Sequence, residues 1–272
     1  MPEFPFVSGG VIRTVGSTSG ASSVSTTLTA GGAANTKGSA VELIASTEFD
    51  ANWVLITFTD LTSGVVNFLV DILIGAATEQ VIIPDLYATA RGNGGAFGPY
   101  LFPVFIPAGS RIAARCQCNE ASWQFNVAVT LIAGTALSGG SGPSYVSAYG
   151  ATTTSEGTNI DPGAVANTDS SWVEIAASTD RTHHWLVIAA RFGDWVLAAK
   201  VHWRLSIGIG AATETVLVPD IHVSSDTITD GMPASVYCLP VFIPKGSRLT
   251  AKVRSSVTTD ADRDIWLKLY GC

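Results

Sequence analysis

Apolar positions in this chain fall in short runs, many alternating with polar positions, and turn-formers break the pattern about every 8 to 12 residues. The runs are VELIAS at Val41–Ser46, ANWVLITF from Ala51, VNFLVDILIG from Val66, RIAARCQC from Arg111 and FNVAVTLIAG from Phe125. They are rich in β-branched and aromatic residues, and helix signals are few, so each predicts a strand. The series then returns as VEIAAS from Val173, HHWLVIAA from His183, VHWRLSIGIG from Val201, RLTAKVRS from Arg248 and IWLKLYG from Ile265. Two blocks between the strands recur almost unchanged. IGAATEQVIIPD at Ile74–Asp85 becomes IGAATETVLVPD at Ile209–Asp220, and PVFIPAGSR at Pro103–Arg111 becomes PVFIPKGSR at Pro240–Arg248.

The spacing of the copies grows along the chain. Trp53 and Trp185 lie 132 apart, Gly75 and Gly210 lie 135 apart, and Arg111 and Arg248 lie 137 apart. Insertions between strands leave pairing intact, as a duplicated structural unit requires. The IGAATE segments predict hairpins. Pro84 and Pro219 should then end the return strand at a corner or set it at an edge, because proline cannot donate to a ladder. In Pro107-Ala-Gly-Ser and Pro244-Lys-Gly-Ser the proline suits the second position of a type I turn. The segments Leu86–Tyr100 and Ile221–Tyr237 differ most between the copies, and such loops are where a rigid scaffold meets partners.

These readings predict an all-β chain of two tandem antiparallel β-sandwich domains, each of seven or eight strands, with a jelly roll as the leading topology and a barrel as the alternative. Repeat 1 spans 27–134 and repeat 2 spans 159–272. A Gly/Ser/Thr-rich linker, 135–158, joins them. Residues 1–26 have the composition of a flexible leader, or of an extended arm that lies on a neighbouring subunit with Phe4 and Phe6 as anchors.

Composition adds mainly exclusions. A net charge of −7 over 272 residues, with Lys and Arg scattered singly, argues against nucleic-acid binding, which needs clustered cations. The most apolar long window, Trp185 to Trp203, contains Arg191, Asp194, Lys200 and His202, so no membrane partner is expected. The amino terminus lacks a basic start followed by an apolar core, so no secretory leader is expected. Four cysteines are too few for a disulfide scaffold and are expected to be reduced. Cys116 and Cys118, two apart on a strand, share a face.

Candidate chemistry is sparse. His183 and His184 are adjacent on a strand and face opposite ways, so they make a poor chelating pair. Asp260, Asp262 and Asp264 resemble the start of a calcium loop, but Ile265 stands where glycine is needed and Gly271 where glutamate is needed, which favours a charged turn. No nucleophile elbow, zinc motif, P-loop or dinucleotide fingerprint occurs, so no catalytic, cofactor or metal residue is assigned. Glu79 and Glu214, with Asp85 and Asp220, could supply the carboxylates of a glycoside hydrolase. Their repetition together with their turns favours a structural role, and Arg111 and Arg248 are expected to pair with carboxylates in their own domains.

The IGAATE–VIIPD and FPVFIPAGSRIAAR blocks resemble segments of tailed-bacteriophage structural proteins that carry β-sandwich units singly or in tandem. The resemblance implies a non-enzymatic virion component, assembled in the host cytoplasm, that decorates or cements the capsid; a tail or baseplate attachment is the alternative. Its implied partners are other virion proteins, with a homo-oligomer on a symmetric site. A host-surface glycan is a further possible partner, since tryptophan and tyrosine rings stack on sugars. Candidate contact residues are Phe4 and Phe6 in the arm, Arg91, Asn93 and Tyr100 in the first variable loop, and His222, Asp226 and Tyr237 in the second.

Overall fold

The computed structural model describes residues 10–16, 25–59, 66–76, 78–90, 99–134, 145–192, 200–210, 213–225, 235–258 and 263–272. The chain divides into two compact units, Met1–Ser147 with Cys272 and Ala148–Gly271, and it is all-β.

In the first unit, β1 (Val11–Val15), β9 (Gln124–Ala133), β4 (Trp53–Thr59) and β7 (Tyr100–Phe102) lie side by side, and β2 (Thr26–Thr29) also pairs with β9. The second sheet runs β3 (Val41–Ile44), β8 (Ile112–Cys118), β5 (Val66–Ile74), β6 (Gln80–Ala90). The second unit repeats this arrangement. One sheet runs β10 (Ser147–Tyr149), β18 (Ile265–Gly271), β13 (His183–Phe192), β16 (Ser235–Ile243), with β11 (Thr158–Ile160) on β18. The other runs β12 (Val173–Ala176), β17 (Leu249–Ser255), β14 (Val201–Ile209), β15 (Thr215–Ser225). Strands 2 to 9 of each unit alternate between two antiparallel sheets in the orders 2-9-4-7 and 3-8-5-6. This is the winding of a jelly roll.

Two sequence boundaries need correction. The part of the arm at 11–15 forms an edge strand of its own sheet, pairing from Val11↔Ala133 to Val15↔Val129. The linker likewise contains β10, which pairs with β18, and the first residue of β11, which pairs from Thr158↔Leu267 to Ile160↔Ile265. Each repeat therefore begins upstream of 27 and 159. Gly, Ser and Thr density looks like a linker, yet a neighbour's unpaired edge satisfies the backbone of such a segment whatever its side chains. Phe4 and Phe6 lie outside the described residues.

The core of the second unit follows the alternation. Leu186, Ile188, Ala190 and Phe192 on β13, Trp203, Leu205 and Ile207 on β14, and Ile265, Leu267 and Leu269 on β18 are all fully buried. On β14 the intervening His202 and Arg204 are exposed.

The repeated motifs meet at one arginine in each unit. Nε of Arg111 donates to Glu42 Oε2 at 2.7 Å, while Nη1 donates to Glu79 Oε1 at 2.5 Å and to the Gly75 carbonyl at 3.3 Å. Arg248 makes the same three bonds, to Glu174 at 2.7 Å, Glu214 at 2.7 Å and the Gly210 carbonyl at 3.3 Å. Each arginine thus ties both edge strands of its sheet to the central pair. Donating to Glu79 and then Glu42 holds the Arg111 guanidinium above its ordinary pKa, and donating to Glu174 and then Glu214 does so for Arg248.

The turn before each arginine differs in type from the expectation. Ser110 N–H donates to the Pro107 carbonyl and Ser247 N–H to the Pro244 carbonyl, so proline holds the first position. Gly109 and Gly246, each at φ 81°, hold the third, where type II geometry requires a left-handed residue. The hairpin strands also do not stop at proline. β6 and β15 run through Pro84 and Pro219 as edge strands, bulging where Asp85 (φ 50°) and Asp220 (φ 42°) are left-handed. The bulge absorbs the missing N–H, so no corner forms.

Candidate functional site

The β12–β17–β14–β15 sheet of the second unit carries a cleft of about 340 Å³ lined by Asn167, His202, Arg204, His222, Arg254, Ser255 and Ser256. Strand register builds it. Arg204 on β14 stands opposite His222 on β15 and Arg254 on β17, so three cationic or cationisable side chains form one row. His202, two residues before Arg204 and therefore on the same face, adds the fourth. Its Nδ1 lies 2.7 Å from Ser224 Oγ, and its ring lies 6.1 Å from that of His222 at 15°. Its backbone N–H donates to Ser256 Oγ at 2.9 Å, which leaves that hydroxyl free to donate.

Among the described residues, counter-charges reach only one end of the row. Nη2 of Arg254 lies 3.4 Å from Asp220 Oδ1, and its Nε lies 3.7 Å from Asp169 Oδ1, which is too long for a hydrogen bond. That buried Nε has no hydrogen-bond partner among the described residues. Asp169 is held more closely by Lys252, at 2.5 Å. Arg204 has no carboxylate partner among the described residues.

The first unit provides an internal control. By the same register, Leu69 stands opposite Tyr87 and Gln117, which equate to Arg204, His222 and Arg254, while Asn67 equates to His202. All four are uncharged and buried, with exposures of 0% to 6%. The wall of the cleft is nevertheless common to both units. Left-handed Asn35 (φ 58°) donates its N–H to the Cys118 carbonyl, and left-handed Asn167 (φ 59°) donates to the Ser255 carbonyl. The two units share the frame, and the floor is neutral in the first and carries Arg204 and Arg254 in the second.

A second polar cluster in this unit is structural. Tyr149 Oη donates to Asp180 Oδ1 at 2.6 Å and lies 2.7 Å from His183 Nε2. Since its single proton goes to the carboxylate, Nε2 of His183 is the donor, and the buried Nδ1 has no partner among the described residues. Burial, then the charge of Arg181, push His183 below its ordinary 6.5. The unfolded chain therefore binds a proton that the folded unit rejects, so stability present above pH 6.5 is lost as the pH falls below it. Urea titrations at pH 7.5 and 5.5 should show the second unit weaker at the lower pH, with a smaller loss in a His183→Asn variant. Gly271 makes room for this ring, because a Cβ there would lie 2.5 Å from His183 Cγ. Gly271→Ala is expected to lower stability by about 1–3 kcal/mol, read by chemical denaturation.

Of the candidate contact residues among the described ones, only His222 belongs to the cleft. Tyr100 is a correction: it is fully buried in β7, its hydroxyl donating to the Tyr87 carbonyl at 2.5 Å, because the loop Leu86–Tyr100 ends as a strand. Tyr237 is half-buried on β16, in the opposite sheet, against the core. Arg91, Asn93, Asp226, Asp260 and Asp262 lie outside the described residues. Asp264 Oδ2 accepts from Asn159 Nδ2 at 3.1 Å. His183 is buried and His184 exposed, facing opposite ways as expected. Cys116 and Cys118 are free and buried; burial pushes their thiols up to about 12 and about 11. Sequence reasoning missed His202, Arg204 and Arg254, although the V-H-W-R-L alternation of β14 already set His202 and Arg204 on one face.

No family model matches the chain, and no curated protein matches it. Solved structures similar to it include the tandem CBM22-1–CBM22-2 domain of Paenibacillus barcinonensis Xyn10C, at 9% identity over 97% of this chain and 92% of that one, with a TM-score of 0.28. PNGF-II is similar at 8% identity over 85% and 59%, TM-score 0.37, and the STIV MCP at 10% over 93% and 98%, TM-score 0.31. Likenesses this distant carry no argument about what the chain binds or builds.

Proposed function

We propose that this chain is a non-enzymatic structural protein of a tailed-bacteriophage virion, fixed to the capsid surface by protein–protein contacts. One observation carries the non-enzymatic part of this reading. The repeated glutamates and arginine, the shared residues best suited to acid–base chemistry, are consumed within each unit in the Glu42–Arg111–Glu79 and Glu174–Arg248–Glu214 clamps. A carboxylate pair held by one guanidinium and shared with a strand edge serves the frame rather than proton transfer. The virion assignment draws on the resemblance of the IGAATE and PVFIPAGSR blocks, and a duplicated rigid frame suits a symmetric surface.

Gold-labelled antibody against the chain, imaged on purified particles, tests the assignment. Label over the head supports capsid decoration and label at the tail supports tail attachment. Particles without label, with the chain found only as free protein, would refute the virion role.

A further inference from the structure

We infer that the cleft of the second unit binds an acidic saccharide, a sugar residue bearing a carboxylate, sulfate or phosphate group. This goes beyond the virion reading and does not depend on where the chain is mounted. Like charges placed directly opposite on neighbouring strands destabilise a sheet, yet Arg204 faces Arg254 across the β14–β17 ladder. The neutral alternative exists in the same chain, at Leu69, Gln117 and Tyr87. An oxyanion lying over the row removes the repulsion, and guanidinium groups match its geometry with paired N–H donors. Among the described residues the buried Nε of Arg254 has no hydrogen-bond partner and Arg204 has no carboxylate partner, so both guanidinium groups keep donors for it.

The remaining lining selects the carrier. Asn167, Ser255 and Ser256 add amide and hydroxyl groups around the cations, and these both donate and accept, as sugar hydroxyls require. A volume near 340 Å³ is at the small end of ligand sites, suited to one sugar ring with its acidic group. An acidic peptide would use the arginines and leave the neutral groups unmatched. In a chain of net charge −7, long-range attraction does not explain such binding, so its specificity rests in the cleft itself.

Isothermal titration of the full chain with glucuronic acid, N-acetylglucosamine 6-sulfate, glucose, inorganic sulfate and an acidic tetrapeptide tests the inference. At least one acidic sugar is expected to bind about tenfold or more tightly than glucose and than inorganic sulfate. Arg204→Gln and Arg254→Gln should each weaken that binding about tenfold. Arg204 is exposed, so its variant should keep the wild-type melting curve. Lys245→Gln, on an exposed turn away from the cleft lining, should leave binding unchanged. Absence of acidic-sugar binding, equal binding of glucose, preference for the peptide or for sulfate alone, or indifference to Arg204→Gln would each overturn the inference.

Discussion

Trp203→Ala is expected to destabilise the second unit by about 3–5 kcal/mol, the range for truncating a large buried aromatic. Trp203 is fully buried, with its ring 5.6 Å from that of Phe192. The packing loss comes with a polar one, because its Nε1–H donates to the Arg263 carbonyl at 3.0 Å. Truncation empties the middle of the core and leaves that carbonyl without this donor. Trp203→Phe removes the hydrogen bond and part of the volume, so its loss should be smaller. The first unit places Phe68 at this position, stacked on Phe125 at 4.7 Å, so a phenyl ring can serve the frame. Urea denaturation followed by tryptophan fluorescence reads both variants; an alanine variant as stable as the parent would mean that this core is not close-packed around the indole.

Asp71→Ala should destabilise the first unit by a similar amount, about 3–5 kcal/mol, as expected when one partner of a buried ion pair is removed. The Asp71 side chain is only 5% exposed, and it meets Lys37 Nζ at 2.8 Å and Arg115 Nε at 2.9 Å. It also accepts the N–H of left-handed Asp85 at 3.0 Å. Alanine would leave that N–H without this acceptor and Lys37 with the Asp85 carboxylate at 2.8 Å and the Leu69 carbonyl at 3.1 Å. The second unit separates the two roles. Ser206 holds the equivalent place and accepts the Asp220 N–H at 3.1 Å, while Asp169 stands where Lys37 does and pairs with Lys252. Asp71→Ser should therefore keep the bulge capped and lose only the ion pairs, giving a smaller loss than alanine in the same denaturation assay.

The contrast between these two units explains how much of the molecule was legible. Strands, hairpins and duplication could be read because side-chain alternation and turn chemistry are local: VHWRLSIGIG announces its buried and exposed faces without knowledge of its neighbours. The pairing of Arg111 and Arg248 with carboxylates was legible from repetition, but the identity of both partners was not. Glu42 and Glu79 lie far from Arg111 in sequence and meet it only because β3 and β6 flank the central strands. Edge strands β1 and β10 were hidden because their membership depends on the free edge they complete, not on their own composition.

The sequence by itself determined that this protein is a duplicated, all-β chain whose two shared motifs are frame elements, since periodicity and repetition are properties of the chain alone. Only the tertiary structure decided where the copies part company. Cross-strand register brings Arg204, His222 and Arg254 into one row with His202 beside it, although these residues are spread over three strands. Register is fixed by which faces can be buried together, and a charged row becomes a cleft only when the neighbouring strands have taken their places.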